Sequence, residues 1–300
     1  MVIDKLIYKI IEKKNPCCVG IDPDYEKIPN CYKEEGLTKT QVIYNWAIDV
    51  IDGIKDIVAA IKTQIAFFEM YGSEGIKILE EIIRYAHKND LIVIDDSKRN
   101  DIGNTARAYA YAHLDEEGPI NADFLTVSPF LGTDSLEPFI EKANENEKGL
   151  FILVKTSNPS SKQISEAIKD DNSIMNFLAE YVNKKGNEII GEYGYSSIGA
   201  VVGATFPKEA KELRKIMKNN IFLVPGYGAQ GGSVDDIINC FSDDGLGAIV
   251  SSSRGILYSY IGKNNNCTKE DYIRIVVQST IEMRGIIYTK LKEKYNYIKY

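Results

Sequence analysis

The sequence has no uninterrupted apolar run near the ~20 residues needed to cross a bilayer, and its start, MVIDKLIYKIIEKKN, is charged throughout rather than built like a secretory leader. A soluble, cytoplasmic protein with no membrane contact is the expectation. There is no excess of positive charge either: 36 Lys and Arg face 43 Asp and Glu, a formal net charge of -7. Composition therefore offers no basic face for DNA or RNA, although a local cationic pocket for an anionic metabolite stays open. Cysteine is sparse. Cys17, Cys18, Cys31, Cys240 and Cys267 are odd in number and contain no C-x-x-C pair, which argues against a disulfide framework and against a zinc site. No H-x-H or carboxylate cluster has metal-ligand spacing. The two histidines, His87 and His113, fall on helix-like stretches, where surface or packing roles are the plainer reading.

What the chain does have is 300 residues with 44% apolar content, enough for one full core and a usual length for a single-domain α/β barrel. Eight short β-branched runs recur: CCVGID from 17, VAAIKTQ from 58, LIVIDDSK from 91, FLTVSPF from 124, GLFILVKTS from 149, SIGAVVGAT from 197, IFLVPGYG from 221 and GAIVSSSRG from 247. Amphipathic stretches separate them, such as SEGIKILEEIIRYAHKN, with Ser73 as the expected N-cap, and FPKEAKELRKIMKNN, with Pro207 in the first helical position. Strands apolar on both faces, each followed by a helix, predict a closed parallel (β/α)₈ TIM barrel in one domain over residues 1–300. DKLIYKIIEKK becomes an extra N-terminal helix under the barrel floor, and TKEDYIRIVVQSTIEMRGIIYTKLKEK the last outer helix. SNPSSKQISEAIKDDNS reads as a polar loop after the fifth strand, of a length that is often functional.

Polar residues gather where these runs end: Asp22, Lys62 with Gln64, Asp96 with Lys98, Ser128, Thr156 with Ser157, and Arg254. In barrels of this type the C-terminal rim carries the chemistry, because the strand ends converge on one mouth. Side chains alternate along a strand, so Asp96 and Lys98 share one face while Asp95 and Ser97 share the other. The same parity pairs Lys62 with Gln64. If the first face points inward, two lysines and a carboxylate meet in a partly dry mouth, where pairing offsets the cost of burying charge. Asp101 lies beyond the strand, near the turn into the next helix. The plainer alternative for D-x-K-x-x-D is a solvated strand end with surface ion pairs, and Lys62 one strand earlier weighs against it. Asp95 is expected to point out of the barrel and Arg99 into solvent or a neighbouring subunit. Trp46 and the tyrosines of ARAYAYAHL read as packing or interface residues.

A second signal lies in VPGYGAQGG and SSSRGI. Glycines let backbone N–H groups approach an anion, and the loops after the seventh and eighth strands are the usual phosphate site of such barrels, where Arg254 adds a bidentate cation. A tight turn of left-handed glycines is the alternative. The loop after the seventh strand is the lid candidate.

Taken together, CVGIDPD, IKTQIAFFEMYGSEG, DDSKRNDIGNTA, LVKTSNPS, VVGAT, LVPGYGAQGG and SSSRGI resemble, in order and over most of the chain, the orotidine 5'-phosphate decarboxylase family in its longer bacterial and protozoan form. The resemblance implies a metal-free, cofactor-free decarboxylation of orotidine 5'-monophosphate to UMP and CO₂. It implies a catalytic tetrad of Lys62, Asp96, Lys98 and Asp101, with Asp101 serving the other subunit of a homodimer. Asp22 is similar to the residue that holds the ribose, Thr105 to one offered across the dimer interface, and Ser157, beside Thr156, to one that contacts the pyrimidine. Gln230 and Arg254, with backbone near Gly228 and Ser253, resemble the phosphate grip. Gln64 stands beside the first lysine, where the family has a polar side chain. Asn100 replaces an expected glycine and Thr63 an expected proline. Two other readings remain at this point: a related barrel acting on a sugar phosphate through a metal-held enediolate, and a catalytically silent barrel that binds a phosphometabolite.

Overall fold

The computed structural model describes residues 1–169, 172–228, 231–262, 267–295 and 298–300. Eight parallel strands close into a barrel: β1 (Cys17–Ile21), β2 (Ala60–Thr63), β3 (Ile92–Arg99), β4 (Phe124–Val127), β5 (Gly149–Lys155), β6 (Ser196–Val202), β7 (Asn220–Val224) and β8 (Ala248–Ser252). Closure comes from β8 pairing with β1 in the register Cys17↔Val250, Cys18↔Ser251 and Val19↔Ser252. Each strand coincides with one of the apolar runs, because a strand buried on both faces is mostly apolar until it reaches the rim.

Helix α1 (Val2–Lys13) precedes the barrel. Around it run α2 (Lys39–Ile54), α3 (Gly72–Lys88), α4 (Gly103–Leu114), α5 (Glu137–Glu145), α6 (Ile174–Asn187), α7 (Pro207–Ile216) and α8 (Lys269–Lys294). After β7 the outer layer is only a helical turn, Val234–Ile237, prolonged by a 3₁₀ turn, Ile238–Cys240.

Pro207 opens α7 as its missing N–H allows. The expectation for Ser73 fails: α3 starts at Gly72 behind Tyr71, and Ser73 makes no cap bond. The chain reaches α3 from the helical turn Ala66–Glu69 through Gly72 at φ 64°, so it lacks the extended entry that a serine cap needs. The segment after β5 is also more ordered than a plain loop. It holds the turns Pro159–Ser161 and Lys162–Ser165 and a small antiparallel pair, Ile168–Lys169 with Asn172–Ser173.

Two apolar layers result. Outward-facing strand residues pack under the helices, while Cys18, Ala60, Ile94, Phe124, Phe151, Ile221 and Ile249 fill the barrel interior. The Phe124 and Phe151 rings lie 5.1 Å apart at its centre. Val2, Ile3, Leu6, Ile7 and Ile10 of α1 join this inner cluster and seal the floor, as the sequence predicts. The strands' carboxyl ends are left as the open side.

Candidate active site

The open side is a cavity of about 1070 Å³ whose lining includes Asp22, Lys62, Gln64, Asp96, Lys98, Thr156, Ser157, Ser253 and Arg254. Nine of the residues singled out in the sequence, drawn from the ends of five strands, thus share one space. Asp96 is its electrostatic centre. One carboxylate oxygen accepts from Lys62 Nζ at 2.9 Å and from Gln64 Nε2 at 3.1 Å; the other accepts from Lys98 Nζ at 2.6 Å and from Thr126 Oγ1 at 3.1 Å. Lys62 Nζ also lies 3.6 Å from Asp22 Oδ1.

The charges sustain each other. Burial alone would push the Asp96 carboxyl up, but the ammonium groups of Lys62 and Lys98 hold it well below the usual carboxylate range. Burial works against the Lys62 ammonium, and the carboxylates of Asp22 and Asp96 outweigh it, raising its pKa above that of an ordinary lysine. Lys62 and Asp96 are therefore both ionised at neutral pH; Lys62 is buried and the Lys98 side chain half-exposed toward the cavity.

Local backbone choices make this arrangement fit. Gly20 pairs with Lys62 across β1 and β2, and a Cβ on Gly20 would fall 1.9 Å from Ser253 Oγ. A larger residue here would force the Ser253 hydroxyl out of its place. Asp22 Oδ1 is buried and receives no hydrogen bond, so it keeps an acceptor free for a hydroxyl next to Lys62. Arg254 opens the short helix Arg254–Leu257 directly after β8 and is exposed on the cavity wall. Gly226 and Tyr227 line the wall beside it, and Gly226, Gly228 and Gly231 all take positive φ.

Other expectations are met differently. Gly228 belongs to that loop but does not line the cavity, and Gln230 lies outside the described residues. Thr156 donates to Asn158 Oδ1 at 2.7 Å, and the Ser157 carbonyl accepts from Thr205 Oγ1 at 3.0 Å. Asp101 and Thr105 are not among the lining residues of their own chain's cavity; Asp101 Oδ1 accepts from the backbone N–H of Ile102 at 2.8 Å, and Thr105 is exposed on the first turn of α4. Ser128 is also absent from the lining. The β4 residue that reaches the charged group is Thr126, whose Oγ1 accepts from Lys98 N at 2.9 Å while donating to Asp96. Strand parity turns it inward, but nothing in FLTV itself says what it meets there. Tyr258 was missed as well: its hydroxyl donates to Asp22 O and accepts from Asp24 N, both at 2.8 Å. It sits one helical turn after Arg254, the only hint the sequence carries.

Asn100 causes no backbone penalty, because the left-handed residue of this turn is Lys98 at φ 46°. Asp95 points away from the cavity as predicted. Arg99, however, does not face open solvent: its guanidinium meets Glu69 Oε1 at 3.0 Å, His113 Nε2 at 3.1 Å and the Tyr109 ring at 5.3 Å. Its aromatic and acidic neighbours on adjoining helices were too distant in sequence to foresee.

Residues 15–263 match the family model described as orotidine 5'-phosphate decarboxylase / HUMPS family. The chain belongs to this family. It is 41% identical over 282 residues to orotidine 5'-phosphate decarboxylase of Clostridium tetani, covering 92% of this chain and 96% of that protein. It is 42% identical over 260 residues to the Rhodopirellula baltica protein of the same name, covering 84% and 86%. The solved structure of Leishmania donovani OMP decarboxylase superposes with a TM-score of 0.71 at 29% identity, covering 95% of this chain and 99% of that one. These homologues are named as decarboxylases, that is, carbon–carbon lyases, and the barrel architecture is shared across the alignment.

Proposed function

We propose that this chain is a single-domain, cytoplasmic decarboxylase of pyrimidine synthesis that converts orotidine 5'-monophosphate to UMP and CO₂ as a homodimer. The observation that carries the reading is Asp96 bonded to both Lys62 and Lys98 inside a cavity whose far wall presents Arg254. Breaking the bond between C6 and the carboxylate leaves its electron pair on C6, where no adjacent carbonyl serves as a sink. The site must then stabilise negative charge electrostatically, with preorganised cations in a low-dielectric pocket. Lys98 is the acid: its ammonium neutralises the developing charge and delivers one proton to C6 as CO₂ departs. Asp96 lies against the leaving carboxylate and keeps Lys98 aimed. Lys62 binds Asp96 and Asp22 together, and Asp22 accepts a ribose hydroxyl. Thr156 and Ser157 face the pyrimidine, with Gln64 steadying Asp96. Arg254, with Gln230, Ser253 and the backbone near Gly228, binds the phosphate, whose remote binding energy helps to form the reactive geometry.

Asp101 and Thr105 act in the partner's cavity. Their position outside the lining of their own cavity supports this, as do large apolar side chains left exposed: Ile102, next to Asp101, and Phe130, Leu131 and Met70 are 57%, 75%, 49% and 67% exposed. Large exposed apolar side chains are more typical of an interface than of a monomer's free surface. Neither nucleic acid nor a membrane enters this scheme; among the described residues no helix is long and apolar enough to cross one.

The test is the ultraviolet absorbance of orotidine 5'-monophosphate, followed with the purified protein in the presence and absence of a chelator. Loss of absorbance at an equal rate in both is the expected result. Inhibition by the chelator would favour metal-held enediolate chemistry, and nucleotide binding without turnover would favour a silent barrel. Lys98→Ala should abolish decarboxylation while circular dichroism and melting stay those of a folded barrel; comparable turnover in that variant removes Lys98 as the acid.

A further inference from the structure

The end of β3 is irregular. Its register against β4 runs Ile94↔Phe124 and Asp95↔Leu125, then jumps to Arg99↔Val127, so the residues between Asp95 and Arg99 form a bulge. Lys98 sits in that bulge with φ 46°. A lysine in the left-handed region costs about 1–2 kcal/mol, and such strain persists only where the surroundings over-determine it. On the inner face the determinants are those of the cavity: Thr126 takes the Lys98 N–H and Asp96 takes its ammonium.

The outer face has its own set, and one imidazole joins it. Asp95 is fully buried and accepts from Ser97 Oγ and from His113 Nδ1, the latter at 2.5 Å. The other ring nitrogen of His113 accepts from Arg99 Nε at 3.1 Å. Because an arginine Nε only donates, His113 Nε2 must be the bare nitrogen and the ring proton sits on Nδ1, facing Asp95. Asp95 and Arg99 are the residues that bracket the bulge. His113, buried on the last turn of α4, is bonded to both. Ala106 and Ala110, buried on the same helix face, leave room for the ring to approach the strand.

We propose that His113 is a positioning residue for Lys98: it clasps both ends of the β3 bulge from outside the barrel and thereby holds the lysine in the left-handed conformation that aims its ammonium into the cavity. The proposal rests on the reading of Lys98 as the proton donor. A displacement of the order of 1 Å at a reacting group can cost about a hundredfold in rate, so a loosened clasp acts on turnover before it acts on substrate binding.

The experiment uses the full chain with three substitutions: His113→Ala, His113→Asn, which keeps a donor near the Nδ1 position but cannot accept from Arg99, and His87→Ala as a stability control. His87 also bonds a carboxylate, Asp123 Oδ2 at 2.9 Å, but away from the bulge. At a temperature well below each melting point, His113→Ala should lower kcat by about tenfold or more, with KM for orotidine 5'-monophosphate and Kd for UMP within about twofold of the parent. His113→Asn should recover part of the loss, and His87→Ala should lower the melting temperature with kcat unchanged. A folded His113→Ala or His113→Asn protein with parental kcat overturns the proposal, as does a loss that follows melting temperature alike in the His113 and His87 variants. Lys98→Ala separates the two levels: an inactive Lys98→Ala beside fully active His113 variants overturns only the clasp, whereas an active Lys98→Ala overturns the reading of the acid beneath it.

Discussion

Asp96 concentrates the electrostatics of the mouth, and its ionisation ties stability to pH. Its carboxyl titrates lower in the folded chain than in the unfolded one because burial is outweighed by Lys62 and Lys98. A depressed acid contributes stability above its unfolded value, about 3.9, and loses that contribution as the pH falls through the folded value. Asp96→Asn removes the carboxylate that hydrogen-bonds Lys62 and leaves the buried ammonium with Asp22 alone, which costs up to about 3–5 kcal/mol near neutrality. Urea unfolding of parent and variant should therefore show a gap at pH 7 that narrows as the pH drops below about 4; a gap that stays constant would mean that the ion pairs do not govern stability. Arg254 is the opposite case, exposed and remote from Asp96. Arg254→Ala should leave folding intact and weaken UMP binding, measured by calorimetry, by at least about tenfold, the scale of a lost charge-assisted pair. Unchanged affinity would contradict its phosphate role. The inward charges were readable because strand parity fixes which residues share a face: Lys62 with Gln64, and Asp96 with Lys98. Thr126 and Tyr258 were not, since a lone hydroxyl acquires meaning only from what lies across the cavity. His113 was read as a packing residue, although Asp95, Ser97 and Arg99 share one strand parity and Ala106, Ala110 and His113 one helix face. Nothing local says that those two faces meet.

Among the elements, strands were the most legible. A parallel strand inside a barrel is apolar on both sides, so each of the eight runs announced itself, and the polar residues ending six of them marked the rim. Helix starts were less so. Pro207 carries its own constraint on φ, whereas Ser73 lost its capping role to a helical turn and a left-handed glycine before it. The segment after β5 looked like a featureless loop because turns of three or four residues leave no periodicity to detect. Helix α1 was legible from its amphipathic pattern and does separate work from the mouth. Leu6→Ala, which empties a fully buried position against the inner cluster, should cost about 2–5 kcal/mol in denaturant unfolding. Its kcat should match the parent at temperatures where both are folded. A kcat that falls with stability intact would show that the floor and the mouth are coupled.

At the scale of the whole molecule, Asp101 and Thr105 are informative by where they lie: on the surface, outside the cavity their own chain forms. If each cavity borrows them from a partner, two defective proteins can repair each other. Lys98→Ala and Asp101→Ala homodimers, each inactive alone, should regain activity when unfolded together and refolded. In a mixed dimer one site carries both native residues, so random pairing restores roughly a quarter of the sites. No recovery in a mixture shown to contain mixed dimers would return Asp101 to its own chain.

The sealed floor has a consequence for how the chain is made. Helix α1 is synthesised before every strand it covers, yet its apolar side belongs to one buried cluster with residues as late as Leu246 and Ile249. Its resting place exists only once β8 has zipped to β1, some 230 residues downstream. Until translation has passed that point, the cluster that buries Val2, Ile3, Leu6, Ile7 and Ile10 is incomplete, and the nascent protein carries an uncovered apolar helix face that chaperones or neighbouring ribosomes' products are free to meet first.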